Sequence, residues 1–470
     1  MLGILGILVS LALLIALAYR GWNVILIAPI CATVGLLFSG LDAPILATYT
    51  QVFMPALGNY LIKFFPLFLL GAVFGKLMDD SGCARTIAHK IVEWTGKERA
   101  IIAIILACAV LTYGGVSLFV VAFAVFPVAI QMFREGNLPK RLIPAAIALG
   151  SFTFTMSALP GSPAIQNAIP MPFFHTDTFA APGLGIIAGL MMFACGSLWL
   201  MMRARRARNA GEGFGDEGPA KTAAAPAAAP APAPVGELPS FAVAIIPVVL
   251  VLALNFIFTK YLIPSLDTSY LATPKYGKTT AAAVGGTWAI IGAMLAACVV
   301  LLAMTWNRFR DVRRSLNEGA LGSMLPILNV GSEVAYGAVI ASLAAFAIIR
   351  DWLMSLTDNP VIGLAIIVNV LAGITGSASG GMSIALQAVG QQYLEQAQAA
   401  GISPQILHRV AALASGGLDA LPHNGAVITL LAICGLTHKQ SYFDIFMVAV
   451  AFPLLSLLTV IVLNGMFGTF

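Results

Sequence analysis

One stretch of eleven residues constrains this chain more than any other: Gly373-Ile374-Thr375-Gly376-Ser377-Ala378-Ser379-Gly380-Gly381-Met382-Ser383. Apolar runs flank it, Val361 to Ala372 before and Ile384 to Val389 after. Each is too short to cross a bilayer, which takes about 20 apolar residues. Four glycines and four hydroxyl residues also make a poor continuous helix. Two short helices meeting at a small polar tip fit better, as a re-entrant hairpin. Non-helical backbone at membrane depth is tolerated only where protein buries it or water lines it. The stretch therefore points to a binding site.

Composition sets the surroundings. The 470 residues are 59% hydrophobic and 10% charged, with a mean hydropathy of +0.93. Soluble domains carry about 25% charged residues, so this is a polytopic, all-α membrane protein with no soluble enzymatic domain beside it. The net charge of +5 is spread over short loops, with no basic face interleaved with aromatics. That argues against a nucleic-acid partner. The six cysteines have neither metal-ligand nor disulfide spacing.

Residues 1–59 hold two spans, and residues 60–202 form a first repeat. That repeat contains a span from about Tyr60 to Met78, a charged surface segment, and a hairpin at about 100–133. Its tip is Gly114-Gly115-Val116-Ser117, and a helix broken at Pro160-Gly161-Ser162-Pro163 follows. Residues 203–240 are an Ala- and Pro-rich tract that cannot bury a core, read as a cytoplasmic linker. Residues 241–319 contribute connecting spans. Residues 320–470 form a second repeat with a hairpin at about 360–395 and a break at Pro422-His423-Asn424-Gly425. In it the apolar stretch Ala320–Ile349 is interrupted by Asn329, Gly331, Ser332 and Glu333, and Asp444 caps the last span.

Three pairs of segments support the repeat. Gly114-Gly115-Val116-Ser117 matches Gly380-Gly381-Met382-Ser383 at an offset of 266, Pro139 matches Pro404 at 265, and Leu159–Ile165 matches Leu421–Val427 at 262. With both termini outside, ten crossings and two hairpins place 19 of the 25 Lys and Arg on the cytoplasmic side. The others are Lys63, Lys260, Lys275, Lys278, Arg350 and Arg409. This agrees with the positive-inside rule. It also makes the repeats inverted, with the first hairpin entering from the cytoplasm and the second from outside. The chain is expected in the inner (cytoplasmic) membrane.

Inverted repeats with broken helices place a site at their interface. Half-helix N-termini offer free N–H groups that suit an anion. The candidate substrate-binding residues are Gly114, Gly115 and Ser117 at the first tip and Ser162 at the first break. At the second tip they are Thr375, Ser377, Ser379, Gly380, Gly381 and Ser383, with His423 and Asn424 at the second break. Ionisable groups inside a membrane default to function, which makes Glu333, Asp419 and His423 the proton-coupling candidates. Asp419 and His423 are four apart and share a face if helical. A channel and a membrane-embedded enzyme are the minor rival readings, the enzyme the weaker of the two because nothing matches a nucleophile elbow or a zinc motif. The absence of an acidic cluster favours protons over sodium, although half-helix carbonyls could hold sodium.

These motifs resemble the gluconate permease family (GntP) of the ion transporter superfamily. The residues that carry the likeness are Leu159 to Pro170, Asn329 to Gly337, Gly376 to Ser383 and Leu421 to Leu431. The likeness covers the chain apart from the linker. It implies proton-driven uptake of a small organic monoanion, a gluconate-like sugar acid or a hydroxy acid such as 3-hydroxybutyrate, with no cofactor beyond the proton motive force. It further implies a homodimer whose transport domain moves against a static scaffold like an elevator.

Overall fold

The computed structural model describes residues 2–20, 22–40, 43–96, 99–215, 238–422 and 424–470, and among them every regular element is a helix. Most of the expected linker, residues 216–237, lies outside them, as does His423.

Two apolar helices, α1 (Leu2–Tyr19) and α2 (Val24–Leu37), pack against each other. A series then follows: the long α3 (Ile45–Asp80), the amphipathic α4 (Cys83–Thr95), and a hairpin of α5 (Ala100–Tyr113) and α6 (Leu118–Glu135). After it come the short α7 (Ile143–Ser151), an irregular passage of one-turn helices, and the long α8 (Pro182–Asn209). Helices α9 (Phe241–Ser265) and α10 (Ala281–Thr305) form a packed pair. The same order of elements then recurs. Long α11 (Val312–Ser342) leads to α12 (Ala344–Ser355) and a hairpin of α13 (Pro360–Thr375) and α14 (Ala378–Ala399). Short α15 (Pro404–Ser415), a second irregular passage, α16 (Gly425–Cys434) and the long α17 (His438–Phe467) complete it. Among the described residues six helices are long and apolar enough to cross a membrane: Ile45–Asp80, Pro182–Asn209, Phe241–Ser265, Ala281–Arg308, Val312–Ser342 and His438–Phe467. The other four expected crossings correspond to the shorter α1 and α2 and to the two interrupted helices.

Four local readings of the sequence are corrected by the structure. Helix α3 starts at Ile45, not near Tyr60. Thr48, Thr50, Gln51 and Pro55 look like loop residues, yet a π-turn at Tyr49–Phe53 lets the chain enter the next helical stretch with Pro55 in its first turn. Proline is tolerated there because the first N–H groups of a helix have no intrahelical partner. Helix α11 runs unbroken through Asn329–Glu333 and ends at Ser342, before the extended Leu343. The polar residues are therefore displayed on an intact helix.

The second hairpin tip is two residues long, Gly376 in the left-handed region at φ 63° and Ser377. Ala378 to Ser383 are already helical. The first tip is Gly114 to Ser117, so the N-cap residues Ser117 and Ser377 correspond, at an offset of 260 (377 − 117) instead of 266.

Asp444 is not a cap. Thr437 and Gln440 form the capping box of α17. The Asp444 carboxylate, 2% exposed, accepts from Trp199 Nε1 at 3.0 Å and Arg203 Nε at 2.8 Å on α8, and from Arg141 at 3.0 Å. Arg141 also donates to Glu212 at 2.7 and 2.9 Å. That hydrogen bonding, aided by the guanidinium charge, holds the Glu212 carboxyl below its usual range. The Glu212 contact is therefore complete above about pH 4.3 and is lost as pH falls below it.

Two cores result. The larger joins both hairpins, α7, α15 and the flanking long helices. The smaller joins α1, α2, Phe53 and the last turns of α11. There Ser10 Oγ donates to Cys31 O at 2.6 Å and meets the Tyr336 hydroxyl at 3.1 Å. At the far end of α3, Lys76 pairs with Asp80 and with Glu318 of α11, both at 2.9 Å.

Removing one partner of a buried ion pair costs about 3–5 kcal/mol. Arg141 and Arg203 retain 22% and 25% exposure, so Asp444→Ala should fall at the lower end of that range. Thermal melting in detergent checks this, with Arg350→Ala as the control. The Arg350 partner Asp351 is 67% exposed, and such surface pairs contribute at most about 1 kcal/mol.

Candidate functional site

Helix α11 carries Glu333 to the start of α14. The residue is 7% exposed, and its Oε2 has no hydrogen-bond partner. That oxygen occupies the space above Gly380 that any side chain would need, with Ser377 Oγ beside it. Ser377 Oγ also accepts from Gly380 N at 3.1 Å, the N-cap of α14. The N–H groups of Ala378 and Ser379 have no acceptor one turn back, as at any helix start. A carboxylate thus stands at the positive end of a helix dipole.

Other polar groups converge on it. Tyr60 of α3, 2% exposed, lies beside Ser383 and within electrostatic reach of Glu333, without the geometry of a hydrogen bond. Asn329 is one turn before Glu333, and its Oδ1 is unpartnered. Ser379 and Ser383 are one turn apart on α14, and Ser383 Oγ is unpartnered. A buried polar atom left unpaired costs about 1–3 kcal/mol. A hydrogen-bonding solute or water would remove that cost.

The glycines divide by role. A Cβ on Gly381 would overlap the backbone of Ala372, so this glycine lets α13 and α14 touch backbone to backbone. A side chain on Gly114 would collide with Val248 of α9. Gly115, at φ 91°, makes the first tip and packs on Pro163 and Met294. Ser117 makes no side-chain cap, and its backbone N faces Gly75 of α3.

Each tip is tied to the break of its own half. The Tyr113 hydroxyl donates to Pro160 O. Asn424 Nδ2 donates to Gly376 O at 2.9 Å, while its Oδ1 caps α16 through Val427 N at 2.9 Å. The Thr375 hydroxyl turns back to Leu371 O at 2.9 Å. Asp419 is half-buried in the second break, its carboxylate met by its own N–H and that of Ala420.

The first break is held by its own polar groups together with His408 and Arg409 of α15 and Asn255 of α9, while Gln166 Oε1 is left without a partner. Ser162 Oγ donates to Thr155 O at 2.9 Å and accepts from Ala164 N at 3.3 Å. Asn167 Nδ2 donates to Ser162 O and Thr178 O, at 3.0 and 2.9 Å, which fixes the orientation of its amide. Its Oδ1 therefore accepts, from Arg409 at 3.2 Å and from His408 Nε2 at 3.2 Å. His408 is then the Nε2–H tautomer, and its Nδ1 accepts the Thr176 hydroxyl at 2.7 Å. Arg409, wholly buried, also donates to Ala180 O and Ser157 O. Asn255 Nδ2 of α9 holds Gly161 O at 3.0 Å.

Sequence reasoning missed Tyr60, Asn167, Asn255 and His408, and passed over Arg409. The available signal was an ionisable or amide residue inside an apolar run.

Two substitutions one residue apart separate packing from the carboxylate. Gly381→Ala forces two backbones apart and should cost about 1–3 kcal/mol or more, read as a lower melting temperature. Gly380→Ala meets side chains and no backbone, the movable end of Glu333 and the Ser377 hydroxyl. It should keep the melting temperature and lose solute uptake. Equal stability losses at the two positions would contradict the distinction.

The chain matches the description "GntP family permease" over residues 2–464. It is 45% identical to YxjC, an uncharacterized transporter of Bacillus subtilis (strain 168), over 94% of each chain. It is 28% identical to the high-affinity gluconate transporter of Escherichia coli (strain K12), over 39% of this chain and 41% of that one. Among solved structures it resembles the YdaH transporter of Alcanivorax borkumensis, with a TM-score of 0.56 at 15% identity, covering 91% of this chain and 89% of the other.

Proposed function

The chain belongs to the GntP permease family, and we propose that it is a proton-coupled symporter that brings a small organic monoanion into the cell. It is a multi-pass membrane permease and not an enzyme. The proposed solutes are a gluconate-like sugar acid or a hydroxy acid such as 3-hydroxybutyrate. The named gluconate transporter among its relatives supports the first.

The observation that carries the reading is the buried Glu333 carboxylate at the start of α14, whose Oε2 has no hydrogen-bond partner. As an anion, Glu333 stands at the positive end of that helix's dipole, near its free N–H groups. A solute carboxylate would seek the same donors. Two negative charges cannot share them at low dielectric. Protonation of Glu333 removes the competing charge, so the anion and the proton bind together. Deprotonation on the other side would expel the solute. This order of events is symport.

The recurring order of elements supports an inverted repeat, with Glu333 and the second tip as one gate and Gly114 to Ser117 as the other. Two separate cores support a static body of α1, α2 and part of α11 against which the hairpins move. We place the termini outside on the charge count and the working unit as a homodimer.

In proteoliposomes, an acidic exterior should drive accumulation of gluconate or 3-hydroxybutyrate. Glu333→Gln should abolish accumulation and preserve counterflow exchange. If a sodium gradient alone drives uptake and a pH gradient does not, proton coupling is wrong. If Asp419→Asn removes accumulation and Glu333→Gln does not, the coupling group is misassigned.

A further inference from the structure

Helix α3 carries a polar stripe that the mechanism above does not use. Asn59 and Lys63 stand four apart on this helix and both are exposed, with Gln51 and Pro55 exposed on the turns before them. A spacing of four keeps Asn59 and Lys63 on one face. The stripe ends at Lys63. The next residue on that face, Leu67, is buried, and none of residues 64–80 is exposed.

Lys63 lies 13 residues (76 − 63) from Lys76, which makes the ion pairs at the charged end of the helix. At the rise of an α-helix this is about 20 Å, well inside a hydrocarbon core of about 30 Å. A lysine at that depth is costly against lipid and almost always faces a water-filled cavity or the bundle interior. Among the described residues its ammonium has no carboxylate partner and no hydrogen bond. Its neighbour is the Phe173 ring, 5.4 Å from ammonium to centroid. Phe173 belongs to the one-turn helix after the first break and also lies against Gly390 of α14. Lys63 therefore stands where α3, the first break and the second hairpin meet. Tyr60, one turn away, points into the cluster of Glu333 and Ser383.

We propose that this stripe is the wall of an aqueous vestibule and that Lys63, at its floor, captures the carboxylate of the anionic solute before it reaches the tip of the second hairpin. The proposal rests on the reading of the protein as an anion permease. An acidic neighbour would cancel the charge, and none is present among the described residues. The cation–π contact with Phe173 is a weak tether. It aims the ammonium without occupying its N–H donors, so the captured anion can be passed on.

The test reads the field of Lys63 without relying on transport. Of the six cysteines five are buried and Cys195 is half-buried, so Cys195→Ser gives a quiet background. In it, Asn59→Cys should react with membrane-impermeant thiol reagents, and faster with a negatively charged one than with a positively charged one. Adding Lys63→Met should lower that rate ratio roughly tenfold, and Lys63→Arg should preserve it. A separate Lys63→Cys should react with the impermeant reagents, whereas Leu67→Cys should not. An unchanged ratio, or reaction of Lys63→Cys only with a lipid-soluble maleimide, overturns the proposal. In proteoliposomes Lys63→Met should raise KM for gluconate and leave the maximal rate little changed. Failure of the wild-type protein to take up any hydroxy acid would overturn the transport reading. The labelling ratio would still decide for or against the vestibule.

Discussion

A carboxylate at membrane depth has to be neutralised, hydrogen-bonded or protonated, because hydrocarbon offers it nothing. Here Glu333 is brought to the one kind of backbone feature that can hold an anion without a cation, the start of a helix. The rest of the second half serves that contact. Helix α11 remains regular through Asn329–Glu333, so the carboxylate is delivered at a fixed height. Ser377 caps α14 and fixes where its first turn begins. Gly380 leaves the space that the carboxylate fills, and Gly381 brings α13 close enough to set the angle of the hairpin.

The two halves share an order of elements, and their irregular passages are held together differently. The first passage is closed by groups drawn from both halves and from α9. Asn167, His408, Thr176, Thr178 and Asn255 complete one another's hydrogen bonds around Arg409. The guanidinium gives its hydrogen bonds to carbonyl oxygens and forms no direct ion pair among the described residues. Around the second tip the polar atoms of Tyr60, Asn329, Glu333 and Ser383 are left open.

Much of this was legible in the sequence, and the gaps have physical causes. Composition and the lengths of the apolar runs disclose a polytopic helical protein. The hairpin is legible because Gly376 and Ser377 interrupt two runs that are each too short to span. Its exact turn was not, since a Gly/Ser-rich stretch looks irregular until the facing backbone of Ala372 explains why Gly381 must be glycine. Propensity misplaced the start of α3 for a similar reason. Thr50, Gln51 and Pro55 disfavour a helix locally, and a π-turn reconciles them with one. Asp444 was read as a cap from its position at a span boundary, but its partners Arg141 and Arg203 are hundreds of residues away in sequence. Glu333 stood out because a lone carboxylate in an apolar run is rare. Arg409 carried the same signal, and only the carbonyls around it show that it is a structural cation.

The asymmetry bears on coupling. Opposite the first tip, Gly75 lies where the chain approaches Ser117; opposite the second, Glu333 meets Ser377 and Gly380. If each tip forms one wall of a shared site, only one wall can change charge. The first wall, with the buried Arg409 behind it, contributes no carboxylate that changes charge. The second contributes a variable potential, set by whether Glu333 holds a proton. A solute with one negative charge then finds the site attractive only when Glu333 is neutral, and repulsive when it is ionised. A site of this kind couples one proton to one monoanion without a metal-binding carboxylate cluster. The one-to-one ratio we propose rests on Glu333 being the carboxylate that lies against a tip among the described residues, and not on any contact specific to the solute.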